Sequence, residues 1–110
     1  MIDPHLHQPV FRALADPTRR AIIAMLAEGE RPIGDIAAAF EMTRPAVAKH
    51  LAILKEGGVV RVEKKGRERI NRLNPAALKS AADWLNYFDR FWDEKLEKLK
   101  QAGEEGTSAS

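Results

Sequence analysis

Two short amphipathic segments, separated by a two-residue turn, constrain the fold of this chain more than any other feature of its sequence. The first spans residues 33–40 and the second residues 43–56, with Glu41 and Met42 between them. In each segment the apolar residues recur at the three- and four-residue spacing of one helix face. These inward residues are Ile33, Ile36, Ala37 and Phe40 in the first segment and Val47, Leu51 and Leu54 in the second. Two helices joined by so tight a turn predict a helix-turn-helix unit.

The ends of the second segment carry recognisable helix signals. Thr43 can cap the helix through its hydroxyl, and Pro45 lies in the first turn, where its missing N–H is tolerated. Gly57 and Gly58 predict the end of the helix, because glycine tolerates the left-handed conformation that a helix stop requires. The helix is therefore predicted from Thr43 to about Glu56.

The outward face of this helix is small near its start and basic further on. Its members are Arg44, Ala46, Ala48, Lys49 and His50. Small residues let a helix enter the major groove of DNA closely, while Arg, Lys and His reach phosphates and base edges. His50 also admits a second interpretation, as a core-facing histidine under the segment that follows.

A β-hairpin with a cationic tip is predicted directly after the two helices. Residues 59–63 are β-prone, residues 64–67 form the tip, and residues 68–73 return as a second strand. A basic hairpin behind a helix-turn-helix is typical of the wing of a winged-helix protein, which reaches the neighbouring DNA. An ordinary surface hairpin is the alternative, since lysines on edge strands also discourage aggregation.

Positive charge is concentrated in this part of the chain. Residues 44–69 contain eight basic and three acidic residues, a local net charge of +5 against +2 for all 110 residues. A locally basic segment in a nearly neutral protein is the electrostatic pattern of a nucleic-acid binder. A solvated charged face would give the same charge density.

Two further helices are predicted before this unit. Residues 1–8 are predicted to form a flexible arm, followed by a short helix. Asp16 and Pro17 begin a longer helix, as a cap and a first-turn proline, and this helix ends near Gly29.

Arg19 and Arg20 lie close to the N-terminus of that longer helix. A cation at this end opposes the helix dipole. The pair therefore indicates either contact with a phosphate or a partner such as Asp16.

A long amphipathic helix is predicted to close the domain, capped by Asn74 and Pro75 and running to about Gln101. Its apolar stripe recurs at steps of three and four residues, and the preceding short helices offer little surface to cover it. We therefore predict that part of the stripe meets a second subunit, with packing on the protein's own domain as the alternative. The predicted interface residues are Leu78, Leu85, Phe88, Trp92, Leu96 and Leu99.

Several classes of site and location are disfavoured by the sequence. It has no cysteine, and no Ser/His/Asp set, Gly-rich phosphate loop or His/Glu metal spacing, so we expect neither an enzyme nor a cofactor. The acids of the last helix lack a histidine partner, and His5 with His7 supplies too few ligands, so no metal site is expected. No apolar stretch predicts a signal peptide or a membrane span, and a cytoplasmic location is expected.

Three stretches resemble the ArsR-type winged-helix regulators over roughly residues 10–99. They read LADPTRRAII at 14–23, TRPAVAKHLAILKEGGVV at 43–60 and KGRERINRLNP at 65–75. The resemblance implies a dimeric repressor of a palindromic operator, paired through its terminal helices, and it places the chain in a metal-independent branch. Position 48, often Ser in the family, is Ala here, which removes one hydroxyl contact. Asn71 replaces a frequent aromatic, which would loosen the packing of the wing.

The resemblance also implies which residues meet DNA. In the recognition helix these are Thr43, Arg44, Ala46, Ala48, Lys49 and His50, and in the wing they are Lys64, Lys65, Arg67 and Arg69.

The sequence as a whole predicts a mainly α chain with a small β-hairpin, in the order ααααββα. Residues 9–101 form a winged helix-turn-helix domain with a dimerisation helix at 75–101, and residues 102–110 form a disordered tail. The predicted function is that of a homodimeric transcriptional repressor, which binds an inverted-repeat operator through the recognition helix at 43–56 and the wing at 59–73. An unidentified small molecule or protein is expected as its inducer. The alternative is a winged-helix protein-interaction module that has no specific DNA site.

Overall fold

The computed structural model describes the backbone of residues 7–109 and the side chains of residues 7–103. It is mostly helical with one small antiparallel sheet, as predicted for a winged helix. The elements are α1 (Gln8–Leu14), α2 (Pro17–Glu28), β1 (Arg31–Pro32), α3 (Ile33–Phe40), α4 (Arg44–Glu56), β2 (Val60–Lys65), β3 (Glu68–Leu73), α5 (Pro75–Asn86) and α6 (Asp89–Ala109). The predicted arm falls largely outside the described residues, because residues 1–6, including His5, are not among them.

Side-chain caps fix the starts of α2 and α4. The Asp16 carboxylate accepts a hydrogen bond from the backbone N–H of Arg19 at 3.0 Å, and the Thr43 hydroxyl accepts one from Ala46 at 3.3 Å. Both caps were predicted and are confirmed. Asn74 is the N-cap residue of α5 and Pro75 lies in its first turn, as predicted, but the Asn74 side chain makes no capping bond. Its amide instead donates to the Gly58 carbonyl at 2.8 Å.

The sheet has a third strand that the sequence did not predict. Its order is β1-β3-β2, and β1 pairs antiparallel with β3, placing Arg31 opposite Asn71 and Pro32 opposite Ile70. Two residues are too few to show the alternation that identifies a strand, and a proline normally indicates a connection.

The hairpin of β2 and β3 is tighter than predicted. Both strands extend to the two-residue loop of Gly66 and Arg67, with Lys65 directly opposite Glu68. Gly66 has a φ of 62°, a backbone conformation that tight hairpin loops require and that glycine adopts at little cost.

One hydrophobic core joins the first five helices to the base of the sheet. The apolar stripes predicted for α3 and α4 supply much of it, and Ile22 and Leu26 of α2 add to them. Its largest fully buried side chains are Ile22, Ile36, Leu54, Val47 and Val59. The core therefore fixes α4 against α1, α2 and α3 and leaves the opposite side of α4 to solvent.

The prediction of a single long C-terminal helix over residues 75–101 is wrong. The chain forms α5 and α6 separately, with a turn at Tyr87 and Phe88. The N–H of Phe88 bonds to the Leu85 carbonyl at 3.0 Å, a three-residue spacing that tightens the helix and interrupts it. Beyond Gln101 the backbone stays helical to Ala109, although the Gly- and Ser-rich composition of that stretch predicted disorder.

Helix α6 extends away from the body of the protein. The radius of gyration is 19.5 Å, whereas about 13 Å is expected of a globular chain of this length. Every described side chain of α6, residues 89–103, is exposed.

Candidate nucleic-acid interface

The outward face of α4 is open to solvent over most of its length. Arg44, Ala48 and Lys49 are exposed, and Ala46 is half-buried at the first turn. Thr43 is exposed at the cap, where its hydroxyl is occupied by the N–H of Ala46. Because Val47, Leu51 and Leu54 hold the opposite face in the core, the helix presents this small and basic surface in a fixed orientation.

Helix α3 supports the first arginine of that surface. A Cβ atom built on Gly34 would lie 2.8 Å from the Nη2 atom of Arg44, so the guanidinium lies directly over the glycine. The absence of a side chain at this point of α3 lets the guanidinium of Arg44 approach the α3 backbone closely.

His50 is half-buried, with 22% of its side chain exposed, and its Nδ1 lies 3.8 Å from a carboxylate oxygen of Asp16. It thus joins α4 to the N-cap residue of α2, and the acid next to it does not belong to the wing. The backbone N–H of Arg19, and then the charges of His50 and Arg19, hold the pKa of Asp16 below its usual value.

Of the four wing cations predicted to meet DNA, three are exposed and have no ion pair within the described residues: Lys64, Arg67 and Arg69. Lys65 differs from them, because its ammonium donates a hydrogen bond to the carboxylate of Glu30, just before β1. That bond holds the pKa of Glu30 below its usual value and the pKa of Lys65 above its own. Nothing in the spacing of these two residues along the sequence signals the pairing.

Asn71 braces the wing rather than loosening it. Its side chain is only 4% exposed, and its amide donates to the Arg31 carbonyl at 3.2 Å. An aromatic side chain would fill this position by packing alone, whereas the amide ties β3 to β1. The expected loosening of the wing is therefore wrong.

Arg19 and Arg20 have a structural partner that the sequence did not indicate. Arg19 donates to the carbonyls of Ala13 at 3.1 Å and Arg12 at 2.7 Å, and Arg20 donates to the carbonyl of Leu14 at 2.7 Å. These carbonyls belong to the last turn of α1, where helical partners run out, although that of Arg12 also accepts the N–H of Ala15 at 3.3 Å. The side chains of the two arginines therefore cap the end of α1.

The residues predicted for the dimer interface form a continuous apolar face along α5 and α6. Leu78 is half-buried against the core and Phe88 is half-buried among the neighbouring aromatic rings, while the others are exposed. The exposed members are Leu85, Trp92, Leu96 and Leu99, and Trp84, Tyr87 and Phe91 add to them. Trp84 meets both Phe11 of α1 and Phe88 edge to face, with ring centroids 5.5 and 5.0 Å apart.

Within the described part of the chain, no three His, Cys, Asp or Glu side chains are grouped so that they could hold a metal ion. No helix in that part is long and apolar enough to cross a membrane.

Comparison with known proteins identifies the family. A profile of the arsR family of bacterial regulatory proteins matches residues 16–62, from the cap of α2 into β2. The chain is 38% identical over 82 residues to the transcriptional repressor SdpR of Bacillus subtilis, which covers 74% of this chain and 91% of that protein. This chain belongs to the arsR family. It is also 34% identical over 91 residues to the arsenical resistance operon repressor of Escherichia coli, covering 82% of this chain and 78% of the other.

Solved structures of the arsR family share the fold. An ArsR-like transcriptional regulator from Rhodococcus sp. RHA1 superposes with a TM-score of 0.69 at 35% identity, covering 86% of this chain and 90% of that one. As an arsR-family member, this protein is a DNA-binding transcriptional regulator and not an enzyme.

Proposed function

We propose that this arsR-family protein is a homodimeric repressor that binds an inverted-repeat operator. The observation that carries the proposal is the outward face of α4, which is exposed, small at its centre and basic. It lies next to the wing, where Lys64, Arg67 and Arg69 have no ion pair among the described residues. A regulator of this family acts on chromosomal DNA, and the cytoplasm is therefore where we place its activity.

Helix α4 is proposed to enter the major groove. Ala46 and Ala48 allow the helix axis to approach the base edges, and Arg44 and Lys49 supply the donors that recognise bases or bind phosphates. Thr43 and His50 complete this surface at either end. His50 is held towards Asp16, so its part is to bind a phosphate or to orient the helix.

The wing is proposed to bind the flanking phosphates. Lys64, Arg67 and Arg69 are exposed and form no ion pair in the part of the chain that the structure describes, which leaves their charge for DNA. Lys65 must first leave Glu30, so we expect its contribution to be smaller than that of the other three.

A second copy of this chain is proposed to cover the apolar face of α5 and α6. That face contains Leu85, Trp92, Leu96 and Leu99, each more than half exposed. A helix that leaves the body of its own domain cannot bury such a stripe alone, and exposed apolar patches of this kind mark association surfaces. Leu78 and Phe88 are proposed to support the interface from its base.

The two-fold symmetry of such a dimer fixes the geometry of its operator. Two copies of α4 related by the axis would occupy successive major grooves, about 34–36 Å apart. The operator should then be an inverted repeat whose half-sites lie one helical turn apart.

The recognition helix is tested by the double variant Arg44→Ala/Lys49→Ala. Because each base or phosphate contact of this kind contributes about 1–3 kcal/mol, affinity for operator DNA should fall by about 100-fold or more. Affinity is measured by fluorescence anisotropy, and dimer mass by sedimentation, which should not change.

The charge-matched control is Lys79→Ala/Lys100→Ala, which removes two exposed cations from α5 and α6. It should bind DNA nearly as the wild type does. If the α4 variant keeps its affinity, α4 is not the recognition helix. If wild-type binding is weak, indifferent to sequence and abolished by salt, the protein-interaction alternative replaces the operator-binding proposal.

A further inference from the structure

A cleft of about 290 Å³ lies between α4 and the wing. Its lining residues are Ile33, Ala48, Leu51, Ala52, Lys55, Val62, Arg69 and Asn71. The floor is apolar, and two of the eight side chains carry charge, both positive. Its size is at the small end of the ~300–1,000 Å³ that ligand pockets occupy.

The cleft exists because α4 turns small residues towards the sheet. Ala48 and Ala52 lie one turn apart, and their methyl groups leave space that larger side chains would fill. Across the space, Val62 and Asn71 are directly opposed in the hairpin and so share one face of it. Val62 remains 37% exposed although it points towards α4.

The two charged residues of the cleft, Lys55 and Arg69, are both exposed, and their side chains have no ion pair or hydrogen bond among the described residues. Two acids, one next to Lys55 in the chain and one in the hairpin, are each paired with another cation: Glu56 with Arg12 at 3.1 Å and Glu63 with Arg72 at 3.6 Å. The cleft therefore combines apolar walls with uncompensated positive charge.

We propose that this cleft binds a small amphiphilic monoanion, a carboxylate on a short hydrocarbon chain. The carboxylate would bind Lys55 and Arg69, and the chain would displace water from Leu51, Ala52 and Val62. A neutral ligand would leave both cations unused, and a cationic ligand would be repelled. A phosphate of the DNA backbone could meet the cations but would leave the apolar floor uncovered.

Such a ligand would compete with DNA, a consequence that rests on the proposed function. Arg69 is one of the cations assigned to phosphates, and Ala48 belongs to the face assigned to the groove. A carboxylate bound to Arg69 neutralises positive charge on the protein surface that is proposed to bind DNA, and so lowers the affinity for DNA. By linkage, bound DNA lowers the affinity for the ligand by the same factor. The ligand would therefore act as an inducer.

Binding is tested by calorimetry on the full chain without DNA, using butanoate, hexanoate and octanoate. Each buried methylene should tighten binding about fourfold until the cleft is full. Hexylammonium, which has the opposite charge on a chain of equal length, should not bind.

Three variants locate the site. Ala52→Phe fills the cleft from an exposed helix position and should abolish binding of octanoate. Lys55→Gln/Arg69→Gln should weaken it by about tenfold or more, as expected when charge-assisted hydrogen bonds are lost. The matched control, Arg61→Gln, removes a cation from the opposite face of the hairpin and should leave binding unchanged.

Octanoate binding that survives Ala52→Phe, or equal binding of hexylammonium, would overturn the proposal and point to the aromatic face of α5 and α6. The inducer role is tested separately, by adding octanoate to the protein on its operator. Failure to release DNA overturns that role while operator binding stands. If no operator is bound at all, the proposed function fails, and calorimetry still decides whether the cleft is a site.

Discussion

At the scale of single residues, Gly57 shows how closely α1 approaches the end of α4. Its φ is −78°, an ordinary helical value, so backbone freedom is not the reason for glycine here. A Cβ atom on Gly57 would lie 2.7 Å from the Pro9 carbonyl oxygen and 3.1 Å from its carbon. Because these are backbone atoms, the contact can be relieved only by moving α1.

We expect Gly57→Ala to destabilise the protein by about 1–3 kcal/mol, the usual cost of overpacking. The measurement is the thermal midpoint, which should fall by roughly 4–8 °C per kcal/mol. Gly29→Ala is the control, since nothing lies within 4 Å of a Cβ there. Equal thermal midpoints for the two variants would show that the Pro9 backbone of α1 does not crowd a side chain at position 57.

The Asp16 carboxylate makes stability depend on acid pH. Because its folded-state pKa is lowered from 3.8, the ionised form stabilises the fold at neutral pH. That stabilisation is complete above the ordinary value and is lost as the pH falls through the lowered one.

The variant Asp16→Asn keeps an N-cap side chain but removes the charge. We therefore expect a smaller loss of stability than the wild type shows on acidification, from pH about 6 to pH about 3. Urea unfolding across this range measures it, with Asp93→Asn on α6 as the control that keeps the wild-type profile. Parallel curves for wild type and Asp16→Asn would contradict the assignment.

At the scale of elements, Arg19 and Arg67 are expected to have different roles: Arg19 stabilises the end of α1, whereas Arg67 of the wing is proposed to bind DNA. Replacing it with Met removes two hydrogen bonds to the end of α1, at a cost of about 1–3 kcal/mol. Amide hydrogen exchange in α1 should accelerate, while operator affinity is nearly unchanged. Arg67→Met should do the reverse, lowering affinity without lowering stability. Loss of DNA affinity in a stable Arg19→Met protein would restore the phosphate interpretation.

The helix-turn-helix and the wing could be predicted from the sequence because local signals encode them. Apolar periodicity and the caps of Asp16 and Thr43 require only neighbouring residues, and Gly66 lies at the hairpin loop. These signals agree with one another over residues 16–73, and the observed elements follow them closely.

What could not be predicted depends on contacts between distant parts of the chain. Strand β1 exists because β3 pairs with it, and Arg19 caps a different helix from the one it belongs to. Lys65 meets Glu30 across 35 positions of sequence. The break at Tyr87 carries neither glycine nor proline, so the pattern of α5 and α6 continues through it unchanged.

At the scale of the whole molecule, two separate parts of the chain carry the two activities that we propose, DNA binding and dimerisation. The basic surface of α4 and the wing belongs to the compact domain, and the apolar face belongs to a helix that leaves it. A protomer alone would present exposed Trp92, Leu96 and Leu99 to water. A dimer built on that face would cover these side chains and would fix the distance between its two recognition helices. The two helices would then bind both half-sites of one operator together, with greater specificity than either helix alone.

The measurement that tests this account most directly is footprinting of the purified protein on the DNA upstream of its own gene, at several salt concentrations and with random DNA as competitor. The account predicts a protected inverted repeat that resists the competitor. If the dimer neutralises about six phosphates, log K should fall with log salt at a slope near −5. Uniform protection without a preferred sequence, or protection of one half-site alone, would contradict a dimeric operator-binding repressor.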